Sequence, residues 1–215
     1  DQINKPQRPL PSGRTSRTSA TALTVLLLLS GLTIGFSLPI SAFLIALTAV
    51  IVLISYNFWL KRIPILGNLS VSTLGGLAFL YGGFAAQAYQ PALWPAAFAT
   101  LFHLGREILK DLEDIIGDRI LSGSTIPLSW GRSLTRTLIT FIFSTLIILT
   151  PFPALIDTYG NVYLAIVSLL NLSLIYVLIR LWRTDKPETL SHLSHILKAG
   201  MLLGLFAFFF DRLAP

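Results

Sequence analysis

Long stretches without any charge alternate along the chain with short, densely charged segments. From Thr18 to Leu60 no charged residue occurs for 43 positions, and Ile63 to Gly105 repeats this over another 43. A helix crossing the hydrocarbon core of a bilayer needs about 20 apolar residues, so each run predicts two spans. The first run breaks at Ser37-Leu38-Pro39, because the residue before a proline is pushed out of helical geometry. The second breaks around 87–91. Thr137–Ile156 and Thr158–Ile179 add uncharged runs of 20 and 22 residues, and a last span from Leu193 to Asp211 carries Lys198 near its start. The pattern predicts an all-α, polytopic transmembrane bundle of seven helices in a single domain, 1–215. Its fourth helix continues into the charged segment Arg106–Arg119.

Composition agrees with the pattern. Hydrophobic residues make up 53% of the chain and charged residues 12%, whereas a soluble domain carries about 25% charged residues. An ordinary water-soluble enzyme and a disordered tail are thereby excluded. With no cysteine and three histidines, thiolate and disulfide chemistry are out, and any metal is expected to be hard and oxygen-bound. The chain opens on Asp1 with no initiator methionine and no apolar leader, so residues upstream of it are expected.

The net charge of +6 would fit a nucleic-acid partner, but its distribution removes that reading. With seven spans, residues 1–19, 61–65, 106–136 and 180–198 share one side of the membrane. Fifteen of the sixteen Lys and Arg lie there, with eight of the ten acids; Arg212 is the basic residue opposite. Basic residues collect on the cytoplasmic side, so this face is expected to be cytoplasmic, in the plasma membrane of a prokaryote. No nucleic acid and no obligate protein partner is expected beyond the lipid bilayer.

The acids on that face are what topology does not explain. In REILKDLEDIIGDR, at about 100° per residue, Asp111, Asp114 and Asp118 fall at roughly 0°, −60° and −20° on one helix face, with Glu107 at roughly −40°. Carboxylates stacked this way repel unless a cation sits among them. Magnesium takes oxygen ligands and shares them with phosphate. A solvated helix end is the alternative, since Arg106, Lys110 and Arg119 alternate with the acids. The first segment, DQINKPQRPLPSG, sets Asp1, Lys5 and Arg8 beside three prolines and a glycine. Such a loop cannot be helical throughout, and its basic residues suit a phosphate.

Taken in this order on one membrane face, the two segments resemble the UbiA family of intramembrane prenyltransferases. Family members carry N-D-x-x-D-x-x-x-D followed by I-N-x-P-x-R-P-[LI]-P-S-G; Asp1 matches the last aspartate, and Asn4, Pro6, Arg8, Pro9, Pro11 and Gly13 match the continuation. Asp111, Asp114 and Asp118 match the second, aspartate-rich motif. Tyr56, Lys61 and Arg62 stand where the family has a tyrosine/lysine element, although the spacing from Tyr56 to Lys61 is one residue longer. The resemblance implies nine helices in a full-length parent, of which this chain would lack two together with the start of the first motif. It also implies an enzyme that moves an isoprenyl group from its diphosphate to a lipophilic acceptor, with Mg2+ as cofactor. Asp1, Asp111, Asp114 and Asp118 would be the catalytic metal ligands. Lys5, Arg8, Lys61, Arg62, Arg106 and Lys110 would hold the diphosphate, with Asn4, Tyr56 and Asn68 as further candidates. Within the family, REILKDLEDIIGD and INKPQRPLPSG look most like the branch that prenylates geranylgeranylglyceryl phosphate with a geranylgeranyl group. Prenylation of an aromatic acceptor of quinone, homogentisate or chlorophyll type is the alternative.

Two other classes fit less well. The CDP-alcohol phosphotransferases carry D-G-x-x-A-R, which is absent here. An ion-coupled transporter would place its acids near the bilayer midplane, whereas these stand at a helix end. His192 and His195, three apart, are read as interfacial. Phe58, Trp59, Phe79 and Tyr81 are read as core or lipid contacts, although they could shield a carbocation. Gly75-Gly76 and Gly82-Gly83 are read as close-packing positions, and Asn68 either as a helix cap or as a ligand.

Overall fold

Each expected break in the apolar runs ends a helix in the computed structural model, which describes residues 6–120 and 124–213. The helices are α1 (Arg17–Gly35), α2 (Ile40–Phe58), α3 (Leu66–Ala85), α4 (Leu93–Glu113), α5 (Ile115–Ile120), α6 (Ile126–Leu149), α7 (Phe152–Leu155), α8 (Asn161–Trp182) and α9 (Pro187–Leu213). Single 3-10 turns lie at Leu60–Arg62 and Gln90–Ala92. Among the described residues there are therefore seven long helices and two short ones. Asp1, Asn4 and Lys5 lie outside the described residues.

The termini have local causes. Ser16 caps α1 by accepting from the Ser19 N–H at 3.0 Å. Pro39 stands at the N-cap of α2. Pro187 opens α9, where a missing N–H costs nothing. Ahead of α1, residues 6–15 form consecutive turns: the Ser12 N–H donates to Arg8 O at 3.0 Å and the Thr15 N–H to Pro9 O at 3.1 Å. Gly13 sits at φ 74°, a conformation that favours glycine. α6 begins at Ile126, ahead of the uncharged run, and kinks at Gly131 (φ 82°). Its basic Arg132 and Arg136 ride on the helix rather than in a loop.

Five helices, α1, α2, α6 continued through α7, α8 and α9, are long and apolar enough to cross a membrane. α3 and α4 are as long but more polar. α3 turns Asn68, Ser70, Ser72 and Gly76 inward as its buried residues, and the last two turns of α4 are the charged segment. α4 is the hub, packed on α3, α6 and α9, while α8 pairs with α9 and α2 with α3. The main core runs through Leu109, Ile139, Phe143, Leu146, Leu174, Leu181 and Leu193. The outward faces are apolar instead: Leu26, Ile34, Phe141, Ile148 and Leu155 are all more than half exposed, as lipid-facing side chains are.

Small residues set the tightest seams. A Cβ at Gly76 would meet Thr100 Oγ1 at 2.1 Å and Ala96 O at 2.8 Å, and one at Gly75 would meet the His103 ring at 2.4 Å. Gly83 is similarly constrained, since a Cβ there would meet Ala92 Cβ at 2.7 Å, but Gly82 faces open space and is not a packing position. At the end of the bundle away from the charged segment, Asp211 of α9 accepts from the Gly160 and Tyr163 N–H groups, each at 3.0 Å. That carboxylate caps the start of α8, the favourable end of the helix dipole for an anion.

Candidate active site

α2 and α4 end, and α3 begins, at the same end of the bundle. Between them lies a polar cavity of about 80 Å³, lined among others by Tyr56, Lys61, Asn68, Glu107, Lys110 and Asp111. The turn at Leu60–Arg62 is pressed onto α3 there: a Cβ at Gly67 would meet Leu60 O and Lys61 Cα at 3.3 Å. Ile65, just before α3, is held at φ 67°, a rare and strained conformation for a β-branched residue. That fold-back brings Lys61 over α4. Tyr56, although one position off the family spacing, also lines the cavity.

Asn68 does not cap α3. It is buried at 8% exposure, and its Nδ2 donates to Asp111 Oδ2 at 2.9 Å. One oxygen of the carboxylate is thereby oriented by the protein. Lys110 and Arg106 both address Glu107, at 4.0 and 2.6 Å, so Glu107 balances the two cations and belongs to the charged cluster. Thr125, on the segment entering α6, lines the same cavity, and its buried Oγ1 has no hydrogen-bond partner among the described residues. A buried hydroxyl left in that state calls for a ligand or a water.

The three aspartates do not stand on one continuous helix. α4 stops at Glu113, Asp114 is its C-cap at φ −88° and ψ 4°, and α5 restarts at Ile115. The backbone still carries a helical bond across the break, from the Asp118 N–H to Asp114 O at 3.1 Å. The three remain neighbours electrostatically. Burial, and then the Asp114 carboxylate, hold the Asp118 carboxyl above its ordinary range, with Lys110 offsetting part of the rise. Asp111 feels Asp118 and Glu107. No group of three His, Asp or Glu side chains among the described residues is arranged to hold a metal by protein ligands alone.

The remaining candidates scatter. Arg62 is exposed beside Lys61, and Arg8 lies in the exposed loop ahead of α1, at the same end of the bundle. His192 and His195 are exposed, and His195 Nδ1 is 2.7 Å from Ser191 O. Phe58 and Trp59 are each 64% exposed and face outward. Glu107 had shown its place through its angle on the helix. Ser124 and Thr125 had no periodic signal, because a loop after a helix break carries none.

Directly beneath the polar cavity is a second one of about 350 Å³ inside the bundle, walled by α3, α4, α6, α8 and α9. Its lining is apolar, with Phe79, Phe98, Phe102, Leu170 and Phe208 among its walls. Along α3 the polar cavity ends at Val71 and the apolar one begins at Gly75; along α4 the change falls between Glu107 and His103. Each step is one helical turn, about 6 Å.

A helical membrane bundle with a charged cavity at one end and, one turn away, an apolar cavity in its interior defines a class of enzyme that handles an anionic head and a lipid tail together. The model of the UbiA prenyltransferase family matches residues 1–206; the chain belongs to this family and is a membrane prenyltransferase. It is similar to the digeranylgeranylglyceryl phosphate synthase of Methanopyrus kandleri, 35% identical over 214 residues that cover 97% of this chain and 76% of the relative. It is likewise similar to the synthase of that name from Methanosarcina mazei, 35% identical over 97% of this chain and 72% of the relative. A solved structure concerned with digeranylgeranylglyceryl phosphate synthase in membranes superposes with a TM-score of 0.79, at 32% identity, over 98% of this chain and 75% of that one. A UbiA homologue from Aeropyrum pernix K1, solved in its apo form, shares the fold with a TM-score of 0.72, at 18% identity, over 94% of this chain and 78% of that one.

Proposed function

We propose that the protein transfers a geranylgeranyl group from its diphosphate to geranylgeranylglyceryl phosphate, forming an ether lipid at the cytoplasmic face of a prokaryotic plasma membrane. The observation that carries this is the stacking of the two cavities one turn apart. Few metabolites need a charged chamber set one turn from an apolar one; a prenyl diphosphate does. The tail goes into the apolar cavity, and the head lies among Lys61, Lys110 and Thr125, with Arg8, Arg62 and Arg106 around it. Lys5 of the first loop is assigned to the same charge. The acceptor follows from the relatives named above and from a basic surplus that suits a phosphorylated lipid.

The donor set fits magnesium. Asp111, Asp114 and Asp118 offer hard oxygens, and this ion needs only one or two carboxylates when phosphate and water complete its shell. Asp1 is assigned to the same role. When bound, the ion neutralises charge on the departing diphosphate. The chain itself does the positioning: Asn68 sets the Asp111 carboxylate, and Glu107 fixes Lys110 and Arg106 at the rim. Tyr56 and Asn4 are assigned to the surroundings of the head.

Asp111→Asn and Asp114→Asn, assayed in membranes with labelled geranylgeranyl diphosphate, should each lower turnover by at least about 10²-fold while leaving insertion intact. Full activity in both variants, or activity in excess chelator, refutes the metal-assisted site. Label entering only aromatic acids, and never geranylgeranylglyceryl phosphate, refutes the acceptor and leaves the prenyltransferase in place.

A further inference from the structure

We propose that His103 is the base that takes the proton the acceptor loses as it is prenylated. The inference rests on the prenyl-transfer reading above and adds a residue that neither the motifs nor the charged cavity include.

In a prenyl diphosphate the reacting carbon C1 is bonded to the diphosphate oxygen and is also the first carbon of the tail. If the head lies in the polar cavity and the tail in the apolar one, C1 lies at the border between them. That border falls between Val71 and Gly75 on α3 and between Glu107 and His103 on α4. His103 is the side chain on the apolar side of this line. Its ring lies against the α3 backbone at Gly75, where a side chain as small as methyl would collide with it at 2.4 Å. Glycine at position 75 is what leaves room for the imidazole between the two helices.

Chemistry then selects the residue. Apart from Tyr163, which is already hydrogen-bonded to Thr150 O at 2.7 Å, His103 is the one titratable group among the residues lining the apolar cavity. It makes no hydrogen bond to any described residue, so its ring nitrogens are not committed to another part of the protein. The charged groups it feels are Arg106 and Glu107 of its own helix. Facing it, α3 offers Gly75, and the α6, α8 and α9 walls offer no charge. An unpaired base at the border of head and tail is placed for the step that must occur there.

In that step the C1–O bond to the diphosphate breaks, and its electron pair leaves on the diphosphate oxygen. A lone pair of the acceptor hydroxyl makes the new C1–O bond, and the hydroxyl proton passes to the imidazole. Burial and then Arg106 disfavour the resulting cation and Glu107, one turn above, only partly offsets them, so the proton is passed on readily to the charged cavity. An aromatic acceptor would release its ring proton at the same border, so the role does not depend on which acceptor is used.

The test measures kcat, KM and prenyl diphosphate affinity for His103→Gln and His103→Asn in membranes, with the wild type followed from about pH 5 to 8, the range in which histidine titrates. A general base contributes about 10²-fold or more, so both variants should lose that much kcat while prenyl diphosphate affinity stays within about twofold. The wild-type rate should fall on the acid side as the imidazole protonates, and the variants should lose that part of the fall and keep only what the site carboxylates contribute. A kcat within about threefold of wild type in either variant overturns the assignment, as does a wild-type profile flat across the range. That second result needs no variant to fold. A wild type that transfers no prenyl group to any acceptor overturns the transfer reading and this role with it; transfer unaffected by the substitutions overturns the role alone.

Discussion

At the residue scale the site is a set of carboxylates whose placement costs the protein something on its own. Asp118 shows this outside the membrane. Burial and Asp114 raise its carboxyl above the ordinary range, so the folded chain holds this proton more tightly than the unfolded one. The sign follows from linkage: the group costs nothing while both states are protonated, and it destabilises the fold as pH rises through the window between its ordinary and raised values. A divalent cation bound among the acids would offset that cost. Melting of the detergent-solubilised protein should therefore shift upward with magnesium at neutral pH, and the shift should shrink as pH falls through that window. An equal shift at every pH, or an unchanged one in Asp118→Asn, would show that the cation acts elsewhere.

At the element scale the α3–α4 seam places the site, because it fixes the depth at which Asn68 meets Asp111. Gly75 and Gly76 let the two backbones approach, and at Gly76 the obstacle is partly main chain, Ala96 O at 2.8 Å. A rotamer change cannot relieve that contact. Gly76→Ala should therefore force the helices apart and destabilise the protein by about 1–3 kcal/mol. Activity should fall as well, since Asn68 sits two turns earlier in α3. Gly82→Ala, one pair later in the same helix, should be nearly neutral, as nothing lies within 4 Å of its added methyl. Thermal unfolding of the two variants side by side checks the seam; equal effects would contradict it.

At the scale of the whole molecule, one end of the bundle gathers both the charged cavity and almost all the basic residues. Arg132 and Arg136 of α6 reach Asp185, between α8 and α9, at 3.0 and 2.7 Å. Arg132, and then Arg136, hold the Asp185 carboxyl below its ordinary value. This exposed pair group is fully engaged at neutral pH and releases as pH falls through that lowered value, with the modest effect of a surface ion pair. The topology has a direct test because the chain has no cysteine. Single cysteines at Ser12 and Lys186 should be labelled from the cytoplasmic side, and one at Asp157 from the opposite side. Ser12 and Lys186 labelled from different sides would mean that an odd number of spans separates them.

The helices, their number and the shared end were legible in the sequence, because a bilayer imposes length and apolarity on every span and sorts charge across it. The acids of the candidate site drew attention for a related reason, since a charged helix end beyond an uncharged run needs a cause, while the basic residues around it were singled out by the family resemblance. Three things were decided by the tertiary structure. The break at Asp114 splits the three-aspartate face, and helical phase alone carries no sign of it. Asn68 became the orienting partner of Asp111, a contact across 43 residues that only the α3–α4 seam creates. Thr125 and His103 joined the two cavities because packing, not periodicity, set their surroundings. A one-dimensional pattern records which residues meet lipid, water or protein; which of them face one another depends on how closely two backbones approach, and at this site that is set by glycines whose significance appears only beside their neighbours.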